Sequence, residues 1–456
     1  MNLKSMKRIT HKGARLLLLC TLIAVSLAGC RKADDPELAS PEQTPRVDYD
    51  AFIFDYYVNR NHSEASDDNP GTAELPWLTI QHAAGAARPG DVICVRSGTY
   101  DERVVIKKGG ETGKPILFVG FPRRQARVTH GFEIRAGHIE LIGFDITHDK
   151  GGWNENGIWL AGNDVKVLDN YIHEVPGGAG IQPQWGNGPG AWERVVVAYN
   201  HIYGCNAGMV VAGKEWLVEE NRLERLIRPA QGGRDADYFR FFGEDHVIRR
   251  NFMSGTRGDE IGQSHVDLFQ TFVVNPGEYA RNILIEGNFA TGFFHQGLMA
   301  GQDKEAKEKM DRITVRGNVF VGAESWNVCV HGVTNLVVEY NTFAGYKIHG
   351  VGFRNSSTTV PFGSTGKIRY NIFANGSSSY FREELSSYEA GNNLLFNVRE
   401  PDPADRDLFA DPLFVDSSNP LGPDGIPFTA DDGLRLQPGS PAIGKAPGNR
   451  TLGAYQ

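Results

Sequence analysis

Arg240, His265, Asp267 and His295 are the side-chain types that strip a proton from carbon beside a carboxylate. A guanidinium neutralises the carboxylate and acidifies the neighbouring C–H. An imidazole takes the proton, and a phenol returns one to a departing oxygen. Arg240, His265 and His295 therefore read as charge neutraliser and base, Tyr238 as acid, and Asp267 as the group that orients His265. Asp235, Asp237, Asp259 and Glu260 offer hard oxygen ligands suited to Ca²⁺, although solvated loop charge is the plainer reading. Trp159, Gln182, Gln270, Gln296, Asn327, His331, His349 and Arg354 complete the candidate set as ligand-contacting residues.

Such residues need a scaffold, and an internal repeat supplies one. A short run of β-formers, then Asn, then apolar residues recurs at Asn170, Asn200, Asn221, Asn251, Asn288, Asn318, Asn341, Asn371 and Asn393. Successive differences are 30, 21, 30, 37, 30, 23, 30 and 22 residues, so a coil of 21 to 23 residues carries loops of varying length. Alternation within each run points side chains alternately inward and outward. One short strand cannot bury its apolar face alone, but stacked coils can. The expected fold is all-β, a single-stranded right-handed parallel β-helix. Each Asn is expected at a turn, in the left-handed conformation and bonded to its equivalent one coil away. Aligning the later strands of the coils points Tyr238, Arg240, Asp267 and Gln296 outward on neighbouring coils. Long loops at 182–192, 228–237, 255–265, 275–279 and 302–311 are expected to rise together beside a groove.

The composition agrees with a turn-rich globular chain: 54 of 456 residues are glycine, 40% are hydrophobic and 22% charged. A net charge of −8 argues against a general nucleic-acid binder. Cys94, Cys205 and Cys329 are widely spaced in apolar runs and indicate no disulfide framework. At the N-terminus, basic residues precede an apolar run from Leu16 to Leu27, too short to span a membrane comfortably. Leu27-Ala28-Gly29-Cys30 follows and resembles the lipobox of bacterial lipoproteins. The resemblance implies removal of residues 1–29, lipidation of Cys30, and export to the cell envelope on a membrane anchor. Residues 30–50 read as a tether and 51–456 as the β-helix domain.

Asn69-Pro70-Gly71-Thr72, Pro76-Trp77-Leu78-Thr79-Ile80 and Pro89-Gly90-Asp91-Val92-Ile93 enclose a segment that reads as a short amphipathic helix capping the stack. These motifs, within a cap at 51–105, resemble the start of secreted right-handed β-helix proteins, a group that includes polysaccharide lyases. Asp411-Pro412-Leu413-Phe414 and Pro438-Gly439-Ser440-Pro441-Ala442, within 405–456, resemble their closing segment. The resemblance implies a lyase acting on a uronate-containing polysaccharide, working as a monomer. The same resemblance leaves an epimerase as an alternative, and two further rivals remain open. Asp237 and Asp267 form the best carboxylate pair for a glycoside hydrolase. Alternatively Trp159, Trp185 and Trp192 stack on sugar rings in a binding protein without catalysis.

Overall fold

The computed structural model describes residues 47–148, 155–185, 191–228, 235–302, 310–401 and 404–456. The leader, Cys30 and the tether up to residue 46 lie outside them, as do the middle parts of three of the long loops.

The chain winds into coils whose strands pair in parallel with the coil above and the coil below, forming the expected β-helix. Each full coil contributes to three sheets. The first runs from Val104–Ile106 through Ile158–Leu160, Phe239–Glu244 and Asp267–Val273 to His349–Arg354 and Ser378–Arg382. The second includes Lys166–Leu168, Val247–Arg249 and Met310–Arg316, and the third Arg222–Glu224, Phe252–Ser254 and Thr342–Ala344. The inward side chains meet as stacks. Phe239 and Phe269, register partners on adjacent coils, lie 5.2 Å apart at an interplanar angle of 7°. Cys94, Cys205 and Cys329 are free and buried. Burial pushes their thiols up, to about 11 for Cys94 and about 12 for Cys205 and Cys329.

The asparagines form a continuous internal ladder between the second and third sheets. Asn288 Oδ1 accepts from both the backbone N–H and the side chain of Asn251, at 2.9 and 3.0 Å, and the link repeats to Asn318 and Asn341. The left-handed residue is not the asparagine, as expected, but the one before it: Asp169, Tyr199, Glu220, Arg250, Gly287, Gly317, Tyr340 and Tyr370 all have φ between 52° and 65°. The turn bends one residue early because the Asn side chain must point into the stack to meet its neighbours.

The helix Ile80–Ala86 lies where the cap is expected, with Thr79 accepting from the His82 N–H and Ile80, Ala83 and Ala84 buried. Two outer faces are partly covered. Val47, Tyr49, Phe52 and Phe54 pack on Leu117, Val119 and Ile142 of the second sheet. Residues of the closing segment, including Leu434, Leu452 and Tyr455, pack on third-sheet residues such as Phe252, Phe289, Ile372 and Leu394. The second sheet also carries outward ion pairs such as Arg249–Glu219, Arg316–Glu286 and Arg369–Glu339. His331 and His349 lie on the first sheet, and His265 and His295 stand at the edge where the chain enters it.

Candidate active site

Register decides which residues of the first sheet face outward. Ile158, Ile181, Met209, Phe239, Phe269, Leu298, Val328 and Val351 form one inward row. The residue after each faces out, giving the row Trp159, Gln182, Val210, Arg240, Gln270, Met299, Cys329 and Gly352. Tyr238 therefore aligns with Leu268, Gly297 and Asn327, one residue out of step with the alignment that placed it beside Asp267. Tyr238 and Asn327 stand just before the strands Phe239–Glu244 and Val328–His331, at the corner where strand alternation does not set the side-chain direction. Tyr238 is 1% exposed, with its hydroxyl donating to the Ser254 carbonyl at 2.8 Å and 2.6 Å from Thr256 Oγ1. Asn327 is also fully buried. Both point away from the outer face, which corrects their assignment as acid and ligand contact.

Asp237 and Asp267 occupy the corner at which the chain enters the sheet. Both are fully buried, and Asp267 does not face outward as expected. Asp237 Oδ1 accepts the Asp267 N–H at 3.0 Å, and Asp267 Oδ1 accepts the Gln296 N–H at 3.1 Å. Their other contacts reach the surface. Asp237 Oδ2 takes Arg240 Nε at 2.7 Å, and Asp235 lies 3.6 Å from the same guanidinium. Burial raises the Asp237 carboxyl, opposed by Arg240 and reinforced by Asp267. Burial also works against the Arg240 charge, but Asp237, Asp235 and Asp267 outweigh it and hold the guanidinium above its ordinary value. As a pair for hydrolysis, Asp237 and Asp267 lack an exposed edge.

His265, arriving from the loop, lies 3.2 Å through Nδ1 from Asp267 Oδ1. The side chain is 42% exposed. The hydrogen bond to Asp267 raises its pKa, burial opposes, and the net direction is up. With Nδ1–H donated to the carboxylate, neutral His265 presents its Nε2 lone pair. His295 stacks on it, with centroids 4.3 Å apart and planes 12° from parallel. His295 Nδ1 accepts the Val266 N–H at 3.0 Å, so its neutral tautomer carries the proton on Nε2. Burial and the His265 charge lower its pKa. Two stacked imidazoles thus offer opposite functions: one an acceptor, the other a donor.

The remaining candidates spread along the face. Gln270 donates to Asp267 Oδ2 at 3.2 Å, and Gln296 follows Asp267 at the corner. Trp159 and Gln182 lie two to three coils toward the N-terminal end. His331 and Arg354 lie toward the other end, where Arg354 Nε donates to Glu383 at 2.7 Å and His331 Nε2 is 3.5 Å from Cys329 Sγ. His349 stacks on Phe381 and sits 4.3 Å from Trp326. Trp326 is an aromatic surface residue that sequence reasoning missed. It lies across Gly352, where an added Cβ would fall 1.9 Å from its ring. Nothing periodic marks it, and only its position before a buried strand is a clue.

The four expected calcium ligands do not converge. Asp235 and Asp237 contact Arg240, whereas Asp259 and Glu260, on the short helix Gly258–Ile261, bind Arg257 and Arg225. Among the described residues, no three His, Cys, Asp or Glu side chains converge on a position that could hold a metal ion. The donor set does not fit Ca²⁺. In chain order the long loops divide: 228–237 and 255–265 precede strands of the first sheet, whereas 182–192, 275–279 and 302–311 follow them, and residues 186–190, 229–234 and 303–309 lie outside the described residues.

The fold and its outer face define the class, a parallel β-helix with a histidine–carboxylate dyad on one sheet. No protein-family model matches the chain. A 148-residue segment is 30% identical to the uncharacterized protein YwoF of Bacillus subtilis (strain 168), covering 32% of this chain and 28% of that protein. Among solved structures, the chain is similar to the pectate lyase Pel9A, with 16% identity, TM-score 0.47, and 88% and 96% of the two chains covered. It is similar to the PL6 family alginate lyase AlyGC, with 14% identity, TM-score 0.48, and 82% and 57% covered. It is also similar to the A-module of the Azotobacter vinelandii mannuronan C-5 epimerase AlgE6, with 14% identity, TM-score 0.49, and 78% and 97% covered.

Proposed function

We propose that this protein is a polysaccharide lyase that cleaves a uronate-containing polysaccharide by β-elimination. The observation that carries the reading is the His265–Asp267 contact on the same open face as Arg240. Arg240 pairs with the uronate carboxylate through the guanidinium edge that Asp237 leaves open. His265 Nε2 takes the C5 proton, the freed electron pair forms the C4–C5 double bond, and the C4–O bond breaks. His295 Nε2–H returns a proton to the departing oxygen. Tyr238 has no part, because its hydroxyl is in the interior. The protein acts as a monomer at the cell envelope, anchored through lipidated Cys30.

The test is a screen of the chain from residue 31 onward against pectate, alginate, glycosaminoglycans and neutral glycans. The expected product is unsaturated and absorbs in the ultraviolet. His265→Ala should lower the rate by about 10²-fold or more, the scale of a lost general base. New reducing ends without the absorbance would make the protein a hydrolase. Glycan binding without either product would make it a binding protein.

A further inference from the structure

We infer that the open cavity between Trp159 and Trp192 is a distal sugar subsite that makes recognition depend on chain length. The inference rests on the polysaccharide reading above. The cavity, of about 380 Å³, is lined by Glu133, Arg135, Trp159, Ala161, Gln184 and Trp192. That volume is within the range of small-ligand pockets. Trp159 is the outward middle residue of Ile158–Leu160, in the same row as Arg240. Three coil steps separate them, roughly 14 Å at a strand spacing of about 4.8 Å. A glycan bound at Arg240 and extended along the helix axis therefore crosses this cavity several sugar units away.

The cavity is built from fixed parts. The Trp192 indole N–H donates to the Gln184 carbonyl at 3.1 Å, which sets the ring orientation. The Trp192 carbonyl accepts from the Trp216 indole at 3.0 Å and from the Lys214 N–H at 2.9 Å. Gly213, with φ of 127°, admits that carbonyl: a Cβ there would fall 1.9 Å from it. On the other wall, the Arg135 guanidinium lies 5.7 Å from the Trp159 ring centroid, and Glu133 holds its Nε at 2.7 Å. Ala161 is small enough to leave the floor open. Two indoles offer apolar faces to the C–H face of a sugar ring, and Arg135 and Gln184 offer hydroxyl partners at its edge. The ligand is a pyranose unit of the same polysaccharide.

The experiment measures binding of pectate, alginate and glycosaminoglycan oligomers, from disaccharide to octasaccharide, by calorimetry in a His265→Ala background that suppresses turnover. In that parent, affinity should rise with oligomer length once the chain spans from Arg240 to Trp159. Trp159→Ala should abolish the rise and weaken the longest oligomer about tenfold or more. Trp159→Phe should restore part of it, because a ring returns. Gly213→Ala, which displaces Trp192, should act like Trp159→Ala. An unchanged length dependence in Trp159→Ala would overturn the subsite while leaving the polysaccharide reading intact. A parent that binds no oligomer would overturn both.

Discussion

Asn288→Ala tests the internal ladder, on which the spacing of every coil depends. Asn288 is fully buried and makes four side-chain hydrogen bonds. Its Oδ1 accepts from the Asn251 N–H and Nδ2, and its Nδ2 donates to the Ile248 carbonyl and to Asn318 Oδ1. Two partners survive the substitution, because Asn318 Oδ1 still accepts the Asn288 N–H and Asn251 Nδ2 still reaches the Val218 carbonyl. Of the other two, the Asn251 N–H loses this partner in a dry interior, whereas the Ile248 carbonyl loses one bond and keeps its place in the parallel ladder with Ala280–Glu286. At about 1–3 kcal/mol for the unsatisfied N–H and about 0.5–1.5 kcal/mol for the lost second bond, the loss is roughly 1.5–4.5 kcal/mol. Urea denaturation followed by tryptophan fluorescence reads it directly. A loss below about 1 kcal/mol would refute the reasoning, because it would mean that the Asn251 N–H finds water or a new partner.

Three further perturbations have definite signs. His246 is fully buried, and desolvation lowers its pKa from 6.5 to about 4. The unfolded chain then takes the proton first, so stability is whole above the unfolded pKa and falls as pH drops toward 4. That costs about 3 kcal/mol, read as the pH dependence of the stability difference between the parent and His246→Gln, and a difference constant with pH would exclude it. Asp267→Asn keeps an acceptor for the Gln296 N–H but removes the charge facing His265. The His265 titration should move down, visible in its ring-proton NMR shifts, and an unmoved titration would break the dyad. Gly352→Ala should displace Trp326, change the tryptophan emission and cost roughly 1 kcal/mol in thermal unfolding, whereas unchanged emission would mean that the ring does not lie on the glycine.

The scaffold was legible because its defining residue is chemically unusual. A buried asparagine repeating every coil has few explanations besides a ladder, and the spacing from Asn170 to Asn393 exposed the coil length. The turn itself was misplaced by one residue, since the left-handed positions are filled by residues as different as Tyr199, Glu220, Arg250 and Gly287. The site was legible in part. Arg240, His265, Asp267 and His295 do meet, because adjacent coils bring together residues some thirty positions apart. Orientation was harder to read. Tyr238 and Asn327 stand just before their strands, where alternation no longer sets the side-chain direction, and Asp267 is buried by its backbone bonds at the corner, which no periodic pattern marks. Trp326 gives no periodic signal, and its setting depends on Gly352 on the strand one coil further on.

The corner position of Asp237 and Asp267 limits how the face can be altered. Each carboxylate serves the backbone of the next coil with one oxygen and a surface cation or amide with its other contacts. Tool and strut are the same side chain, so redesign at these two positions must preserve a hydrogen-bond acceptor before any change of chemistry can be read. The outward row is under no such obligation: Val210, Gln270 and Met299 face out from strands whose pairing does not depend on their side chains. Side chains can therefore vary along that row while the corner stays constant, which gives the face an interchangeable floor set against a fixed hinge of acids.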